Sequence, residues 1–278
     1  MAAQKKNKLS LLKYLLPEGL LVDAAWMEGR GYSRSLRSQY VAAGWLYQPV
    51  RGVYKQPLGR LGWEQVVISL QALLKYQVSV GGRTALEQQG YGHYIYMKEQ
   101  PVHLYSDEKL PGWLSKLPDC PEFIIHNRSR FLPKITMGEP ISFLHEEGEG
   151  GNMAELPASL MVSQWGQWKW PLVMSIPERA ILEVLDELPA RETFESVDKL
   201  MEGLVNLRPR RLQPLLEAAK SVKVKRLFFY FADRHNHQWL TRLDRDSIDL
   251  GTGKRVIYKG GKLDNSYQIT VPEDMDAL

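Results

Sequence analysis

Residues 20–55 constrain the fold of this chain more than any other stretch, because two short helical patterns lie on either side of a glycine-rich turn. The first pattern places apolar residues on one face of a helix with a period of 3.6 residues: Leu21, Val22, Ala25 and Trp26. Gly29 and Gly31 follow, and a glycine can adopt the positive φ that a steep turn between two helices requires. The stretch therefore predicts a helix, a tight turn and a second helix.

The second helical pattern runs from Arg34 to Ala43, directly after Ser33, whose hydroxyl is suited to cap a helix N-terminus. Its two faces differ in composition. The face expected to pack inward carries Leu36, Tyr40 and Ala43. The face expected to point outward carries Arg34, Arg37 and Ser38. Gly44 occupies the position where a helix commonly ends in a left-handed residue.

A tight hairpin is expected next. Residues 45–48 and 53–55 have strand character and flank the turn Pro49-Val50-Arg51-Gly52, which places Arg51 at the tip. Two helices, a turn and a hairpin together predict a winged helix-turn-helix, in which the second helix enters the major groove of DNA. An arginine fork can bond O6 and N7 of guanine, and Ser or Gln can bond bases or phosphates. The base-side candidates are Arg34, Arg37, Ser38 and Gln39.

The distribution of charge favours a nucleic-acid-binding N-terminus. Residues 1–60 contain ten Lys and Arg and three acidic residues, a net charge of +7, whereas the whole chain carries only +4. Residues 61–278 therefore total −3, so the positive charge is concentrated at the N-terminal end. Phosphate contacts and counterion release require a local excess of this kind. The alternative is a helical cap with an ordinary solvated basic face, which the agreement among helix, turn, cap and hairpin disfavours.

Length and cysteine content narrow the possible classes further. A chain of 278 residues is long for one core, so two or three compact units are expected. Cys120 is the only cysteine, which excludes an internal disulfide framework and a cysteine-based zinc site and favours the cytosol. No apolar run reaches the roughly 18–20 residues of a membrane-spanning helix, so we expect a cytoplasmic protein with no membrane partner.

The predicted fold class is α+β, with the winged helix-turn-helix followed by a two-lobed mixed α/β C-terminal domain. Residues 1–58 form the DNA-binding unit, in which residues 1–7 are either a mobile basic arm or a frayed terminus. A leucine pattern at 9–16 predicts a helix that braces this unit.

Residues 59–150 predict an α+β lobe with a buried helix at 62–76, a turn at Gly81-Gly82 and a short helix after it. Strands are expected at 94–97, 102–106 and 122–126, with a small helix at 110–117. An acidic, glycine-rich loop at 145–157 leads to residues 151–278, which predict a mostly helical second lobe with C-terminal strands.

In the second lobe, helices are expected at 177–188, 194–204, 209–220 and 222–235, with Ser175 as a candidate cap of the first. Residues 208–226 hold seven Lys or Arg and one acidic residue. This patch could contact RNA, DNA or an acidic partner, or it could be a solvated helical surface.

Several short motifs suggest chemistry that their spacing does not support. Gly251-Thr252-Gly253-Lys254 lacks the remaining positions of a phosphate-binding loop, and a β-turn is favoured. His145-Glu146-Glu147 lacks the spacing that puts two metal ligands on one helical face. His235-Asn236-His237 has the letters of the HNH nuclease motif, but the residues of that motif are normally far apart in the sequence. The sequence also shows no pair of carboxylates at a spacing typical of a catalytic site. We therefore expect no metal site, no cofactor and no enzymatic activity.

The order of motifs along the chain resembles the longer branch of the AbiEi antitoxins. The resemblance rests on GYSRSLRSQYVAAGWLYQPVRGVYK (31–55), VGGRTALEQQGY (80–91), PERAILEVLDEL (177–188), VKVKRLFFYFADR (222–234) and DLGTGKRVIYKGG (249–261). Each motif alone is weak, whereas the set in this order covers essentially the whole chain. The middle and C-terminal portions are larger than those of the compact family members.

The resemblance implies an antitoxin of a type IV toxin–antitoxin, or abortive-infection, system. Such a protein represses its own operon by binding inverted repeats through the winged helix-turn-helix, and its C-terminal domain opposes an AbiEii-like nucleotidyltransferase toxin without a stable complex. The DNA-binding role would fall on Ser33, Arg34, Arg37, Ser38, Gln39, Arg51, Tyr54 and Lys55. The antitoxicity surface would include Arg208, Arg210, Arg211, Lys223, Lys225 and Arg226.

Two other functions stay open at this point. A transcriptional regulator that responds to a ligand or a protein would share the DNA-binding unit and lack antitoxin activity. An enzyme acting on nucleic acid is disfavoured, because the six histidines are scattered along the chain.

Overall fold

The computed structural model describes residues 2–92, 100–135 and 156–276. Its first element is a helix, as the leucine spacing at the N-terminus predicts. Helix α1 spans Ala2–Leu15 and therefore includes residues 2–7. Leu12 and Leu16 are buried beneath this helix and its end. The predicted bracing role for this helix therefore agrees with its packing.

The next segment begins as a strand. Leu21–Asp23 is strand β1 and Ala24–Gly29 is helix α2. The prediction of one helix that includes Leu21 and Val22 is therefore wrong. Asp23 is extended and its carboxylate accepts a hydrogen bond from the Trp26 amide at 2.8 Å, so the helix starts only after Asp23. Ala25, expected on the packed face, is exposed.

Helix α3 spans Arg34–Ala42 and strand β2 spans Val53–Lys55. Strands β1 and β2 are antiparallel, with Val22 opposite Tyr54. The first strand of the expected hairpin is reduced to a bridge, in which the backbones of Tyr47 and Lys55 exchange hydrogen bonds of 2.9 Å. Gly44 has a φ of +71°, as its position after the helix predicts.

A mixed sheet forms the centre of the molecule. Among the described residues it contains β3 (Val78–Val80), β4 (Val102–Ser106), β5 (Phe123–Asn127), β6 (Leu160–Trp165) and β7 (Trp170–Ser175), in the order β5-β4-β3-β7-β6. Strand β3 is antiparallel to β4 and parallel to β7, and β4 is parallel to β5. Helix α4 (Trp63–Ile68), which continues as a π-helical turn at Ser69–Leu73, and helix α5 (Gly82–Gln88) pack against this sheet.

The C-terminal part is largely helical, as predicted. It contains α6 (Pro177–Glu187), α7 (Phe194–Gly203), α8 (Pro209–Ala218) and α9 (Val222–His235), followed by the strand pair β8 (Lys262–Asp264) and β9 (Ile269–Val271). Short 3₁₀ turns occur at Leu114–Lys116, Gln238–Arg242 and Glu273–Asp276. Helix α6 packs between α5 and α9, so it links the sheet to the helical part. The described helices are all too short or too polar to cross a lipid bilayer.

Two predicted features take a different form here. The helix at Pro177 is preceded by Ile176 as its N-cap, and the Ser175 hydroxyl instead lies 3.1 Å from Oε1 of Glu183. The antiparallel pair β6 and β7 was not predicted at all, and it brings residues from 151–278 into the same sheet as residues from 59–150. The predicted strand at 94–97 and residues 145–155 of the predicted acidic loop lie outside the described residues.

One cluster of buried hydrophobic side chains extends through the described residues from Leu12 to Met275. Two contacts tie the N-terminal elements to the sheet and to the helical segment packed on it: the Leu21 amide donates to Oγ of Ser69 at 3.0 Å, and the Trp170 ring packs beside Gly19. The helix-strand-helix-helix unit at the N-terminus is therefore docked on the sheet and shares its core.

Candidate nucleic-acid interface

The turn between α2 and α3 is fixed by its backbone. Gly31 has a φ of +79°, and the Gly31 and Tyr32 amides donate to the carbonyls of Glu28 and Met27. Ser33 caps α3, since its hydroxyl accepts from the Leu36 amide at 3.3 Å. The cap predicted from sequence is confirmed, and it sets the direction in which α3 leaves the turn.

Arg37 does not lie on the outward face of α3 as predicted. Its residue surface is 3% exposed, and its guanidinium donates to Oε1 of Glu28 at 2.6 Å and to the Tyr32 carbonyl at 2.7 Å. These bonds join α3 to α2 and to the turn between them. An arginine can face a protein interior in this way because its planar fork satisfies several acceptors at once.

The face that α3 presents to solvent consists of small and polar residues. Successive residues of a helix are 100° apart, so positions 34, 35, 38, 39 and 42 cover one continuous sector of about 140°. The exposed residues of this sector are Arg34, Ser35, Ser38, Gln39 and Ala42. No carboxylate interrupts it. A face of this composition can approach DNA closely and still offer an arginine fork, hydroxyls and an amide.

The expected wing divides into an exposed tip and a buried base. Arg51 is exposed in the turn, as predicted for the tip. Tyr54 is 8% exposed and Lys55 is 5% exposed, so neither side chain presents itself to solvent as the predicted contacts would require. Strand pairing with β1 turns this end of β2 toward the core.

The Lys55 ammonium group instead binds backbone carbonyl groups of the residues that follow it. Its Nζ donates to the carbonyls of Gln56, Leu58 and Gly59 at 2.8, 3.0 and 2.9 Å. Burial lowers the pKa of Lys55, and Glu18 opposes this shift. Lys55 therefore fixes the segment that leads from the N-terminal unit to α4.

The basic surface predicted in the C-terminal part also consists of some exposed and some buried residues. Arg208, Arg210 and Arg211 are exposed near the start of α8. Lys223 donates to the carbonyls of Asp186 and Leu188 at 2.6 and 2.9 Å, and burial lowers the pKa of Lys223. Lys225 and Arg226 are 5% and 3% exposed.

Arg226 holds the C-terminal segment against α9. Its guanidinium donates to the carbonyls of Leu250, Gly251 and Gly253 at 2.7, 3.0 and 2.6 Å. The Gly251-Thr252-Gly253 turn thus points its carbonyl groups at a cation, an arrangement that suits a structural clamp and not a phosphate. Of the predicted antitoxicity surface, the exposed part is the arginine group of α8.

Buried charged residues between the sheet and the helices were not singled out from the sequence. Glu183, with no exposed surface, accepts from the Gly82 amide at 2.8 Å, the Ser175 hydroxyl at 3.1 Å and Nε of Arg179 at 2.6 Å. It therefore caps the start of α5, which explains the Gly81-Gly82 turn without a bound phosphate. The i,i+4 spacing of Arg179 and Glu183 was the available signal.

A second buried group lies beside it. Nδ1 of His103 lies 3.0 Å from Nε2 of His126, and Nδ1 of His126 lies 3.2 Å from Oε1 of Glu187. Burial and the neighbouring His126 lower the pKa of His103 to about 4. Burial alone would raise the pKa of Glu187, but His126 and Arg191 outweigh it and lower that pKa to about 2.

The remaining histidines of interest have structural partners. His235 contacts Oδ1 of Asp198 at 2.9 Å, and Nε2 of His237 lies 2.7 Å from the Met201 carbonyl. Asn236 between them ends α9 in a left-handed conformation. No group of metal-ligating side chains is found within the described ranges, and His145 lies outside them.

Two family models match this chain, and the boundary between them falls near residue 98. A family model for the N-terminal domain of the AbiEi antitoxin transcriptional regulators matches residues 5–97. A second model, described as transcriptional regulator, AbiEi antitoxin, type IV toxin–antitoxin system, matches residues 99–272. A search of curated proteins finds no match.

Among solved structures, the chain is similar to the crystal structure of the RV2827C protein from Mycobacterium tuberculosis. The TM-score is 0.54 at 16% sequence identity, and the match covers 94% of this chain and 88% of that one. At this identity the likeness concerns the fold alone, which is a mixed α+β arrangement. Because the two family models together span nearly all of its length, the chain belongs to the AbiEi family of antitoxins and transcriptional regulators of type IV toxin–antitoxin systems.

Proposed function

We propose that this chain represses its own operon by binding an inverted-repeat operator through α3. The carrying observation is the carboxylate-free exposed face of α3, held by the Ser33 cap and the Arg37 clamp. The order helix, strand, helix, turn, helix, bridge and strand supports the proposal that residues 1–58 form a winged helix-turn-helix. In this proposal Arg34, Ser38 and Gln39 face the bases, Ser33 and Arg51 face phosphates, and Arg37 positions α3 without touching DNA.

We further propose that the C-terminal part opposes a nucleotidyltransferase-like toxin encoded beside this chain, without a stable complex between the two proteins. The family description supports this assignment, since it names an antitoxin. The exposed arginines 208, 210 and 211 are the proposed contact surface for the toxin or for an RNA that the toxin acts on.

Binding to DNA is tested with a fluorescent duplex that covers the sequence upstream of the gene. We expect the full-length protein to bind this duplex more tightly than an unrelated duplex, with an affinity that falls as salt rises. Arg34→Ala should cost about 1–3 kcal/mol of binding free energy if the fork reaches a guanine. Arg242→Ala, which removes an exposed arginine from the C-terminal part, is the matched control and should bind like the wild type.

Antitoxin activity is tested by growth rescue with the full-length chain. The toxin gene is induced from one plasmid, and the wild type or the Arg34→Ala variant is supplied from a second plasmid with an unrelated promoter. Rescue by both proteins would support an antitoxin function that does not depend on operator binding. Operator binding without rescue by either protein would favour a plain regulator.

A ligand-responsive regulator is the second candidate because the C-terminal part contains a polar cleft. The cleft has a volume of 420 Å³ and is lined by Glu195, Asp198, Lys199, Glu202, Arg234 and His235. A small cationic or polar ligand bound there would contact α7 and α9. Operator affinity that changes on addition of such a molecule would favour this candidate.

A further inference from the structure

Two exposed aromatic side chains follow the C-terminal end of α3. Trp45 is 47% exposed and Tyr47 is 50% exposed, whereas Leu46 between them is 3% exposed. Leu46 is therefore directed into the core, while the rings on either side of it are left in solvent just after α3. Large aromatic surface that is left in solvent on a small unit commonly marks a binding site.

Both residues are held in fixed positions. The Trp45 ring packs edge to face on buried Tyr40, with ring centroids 5.4 Å apart, and the Trp45 amide donates to the Tyr40 carbonyl at 2.9 Å. Tyr47 is anchored by its two backbone bonds to Lys55, and its ring lies 5.7 Å from Nζ of that lysine. A partner would therefore meet rings that lose little conformational freedom on binding.

The surroundings of these rings define the charge of the partner. Residues 29–63 contain no Asp or Glu. The exposed cations Arg34 and Arg51 belong to the same unit, one at the start of α3 and the other in the turn after Tyr47. A surface that combines exposed aromatic rings with exposed arginines suits nucleic acid better than a neutral or basic protein.

We propose that Trp45 and Tyr47 pack against the deoxyribose-phosphate backbone of duplex DNA, at the edge of the groove that α3 enters. The inference rests on the proposed DNA-binding function and adds a second kind of contact to it. The Trp45 ring covers apolar sugar surface, and the Tyr47 hydroxyl donates to a phosphate oxygen. Neither ring neutralises a phosphate, so these contacts add affinity without releasing counterions.

The salt dependence of binding separates this contact from the arginine contacts. For the upstream duplex, we expect Trp45→Ala to raise Kd about 5- to 30-fold. The slope of log K against log salt concentration should stay at the wild-type value, whereas Arg51→Ala, which removes a proposed phosphate contact, should reduce that slope by about 1. Tyr47→Phe, which removes only the hydroxyl, should have a smaller effect than Tyr47→Ala.

Two further variants keep the test decisive. Trp168→Ala removes a more exposed tryptophan, 68% exposed, from the turn between β6 and β7 and should leave Kd unchanged. Trp45→Phe retains a ring against Tyr40, and it should recover part of the affinity if the Trp45→Ala protein is less stable.

The possible failures are distinguishable. If the wild type does not bind the duplex, the proposed function fails. If the wild type binds and the Trp45→Ala and Tyr47→Ala proteins match it, only the aromatic contact is overturned. A change in the sedimentation of the DNA-free protein on Trp45→Ala would also overturn it, because the rings would then lie between two copies of the chain.

Discussion

Arg34 and Arg37 are three positions apart on α3 but occupy opposite environments. Arg37→Ala leaves the Tyr32 carbonyl without its buried donor and removes the bond to Glu28. We expect a loss of about 1–3 kcal/mol in the free energy of unfolding, measured by urea denaturation. Arg34→Ala should unfold like the wild type, because its side chain is exposed.

The same pair tests which arginine contacts DNA. After correction for the folded fraction, Arg37→Ala should lose less affinity for the upstream duplex than Arg34→Ala does. Arg37→Lys should have intermediate stability, since an ammonium group can satisfy only part of the guanidinium's bonds. Unchanged stability combined with lost binding in Arg37→Ala would place this arginine on the DNA side.

The His103–His126–Glu187 group predicts how stability depends on pH. The pKa of His103 is about 4 in the folded protein against an ordinary value of 6.5, so between these values the unfolded chain binds the extra proton. Stability should therefore fall as pH decreases from about 6.5 to 4, by at most about 3 kcal/mol from this group. The lowered pKa of Glu187, about 2, extends the decline below pH 4.5.

Thermal unfolding between pH 7.5 and 3.5 measures this effect. His103→Asn removes the titrating ring and keeps an amide that can reach His126, so its melting temperature should vary less between pH 6.5 and 4. A wild-type melting temperature that rises on acidification would contradict the buried neutral state of His103.

The conformation of a single residue was predictable from sequence where the neighbouring backbone determines it. The Ser33 cap and the left-handed Gly44 depend on their immediate neighbours, and both are confirmed. The burial of Arg37 and Lys55 depends on acceptors at Tyr32, Glu28 and the segment after Lys55, which helical spacing and charge counting do not reveal. Counting charged residues in the sequence therefore overestimates the number of cationic side chains that are exposed for phosphate contacts.

At the scale of elements, the junction between β3 and α5 is the most constrained turn of the sheet. A Cβ at Gly81 would lie 2.4 Å from both Oε2 of Glu183 and Cδ2 of Tyr105, and both groups are buried. Gly81→Ala should therefore cost about 1–3 kcal/mol or more in stability through overpacking. Urea denaturation of the variant measures this cost.

Gly112→Ala is the control, because no atom lies within 4 Å of a Cβ built there. It should change stability little. Equal midpoints for Gly81→Ala and Gly112→Ala would show that the packing of Glu183 and Tyr105 against the turn is not tight.

Elements with strong local signals were predictable and those that depend on partners were not. The amphipathic helices α6 and α9 match their predicted ranges to within a residue. Strand β1 was taken as helix because its three residues are too few to show alternation, and pairing with β2 decides its conformation. The pair β6 and β7 carries mixed polar and aromatic residues that fit the sheet only through the contact of β7 with β3.

For the whole molecule, the shared core predicts that the C-terminal part is not independent of the N-terminal unit. A fragment of residues 59–278 would uncover Trp170 where Gly19 packs and would remove the amide bound to Ser69. We expect this fragment to be less stable than the full chain by several kcal/mol, or to aggregate. Melting temperature and solubility are measured for the fragment and for the full chain.

A cooperative transition of the fragment at the temperature of the full-length protein would contradict this prediction. The Arg34→Ala variant of the full chain is the matched control, because it disturbs the proposed DNA contact without opening the core. It should retain the wild-type transition. For the same reason it is a better tool than truncation for separating repression from antitoxicity.

The hydrogen bond between Leu21 and Ser69 also has a consequence for the amount of folded protein in the cell. Because both parts of the protein share one core, a substitution that unfolds a fraction of the molecules removes repressor and antitoxin together. Under the proposed autorepression, the loss of repressor raises transcription of the operon and restores part of the missing antitoxin. Linking the two parts through one core would thus make the supply of antitoxin self-correcting, which two independently folding parts would not achieve.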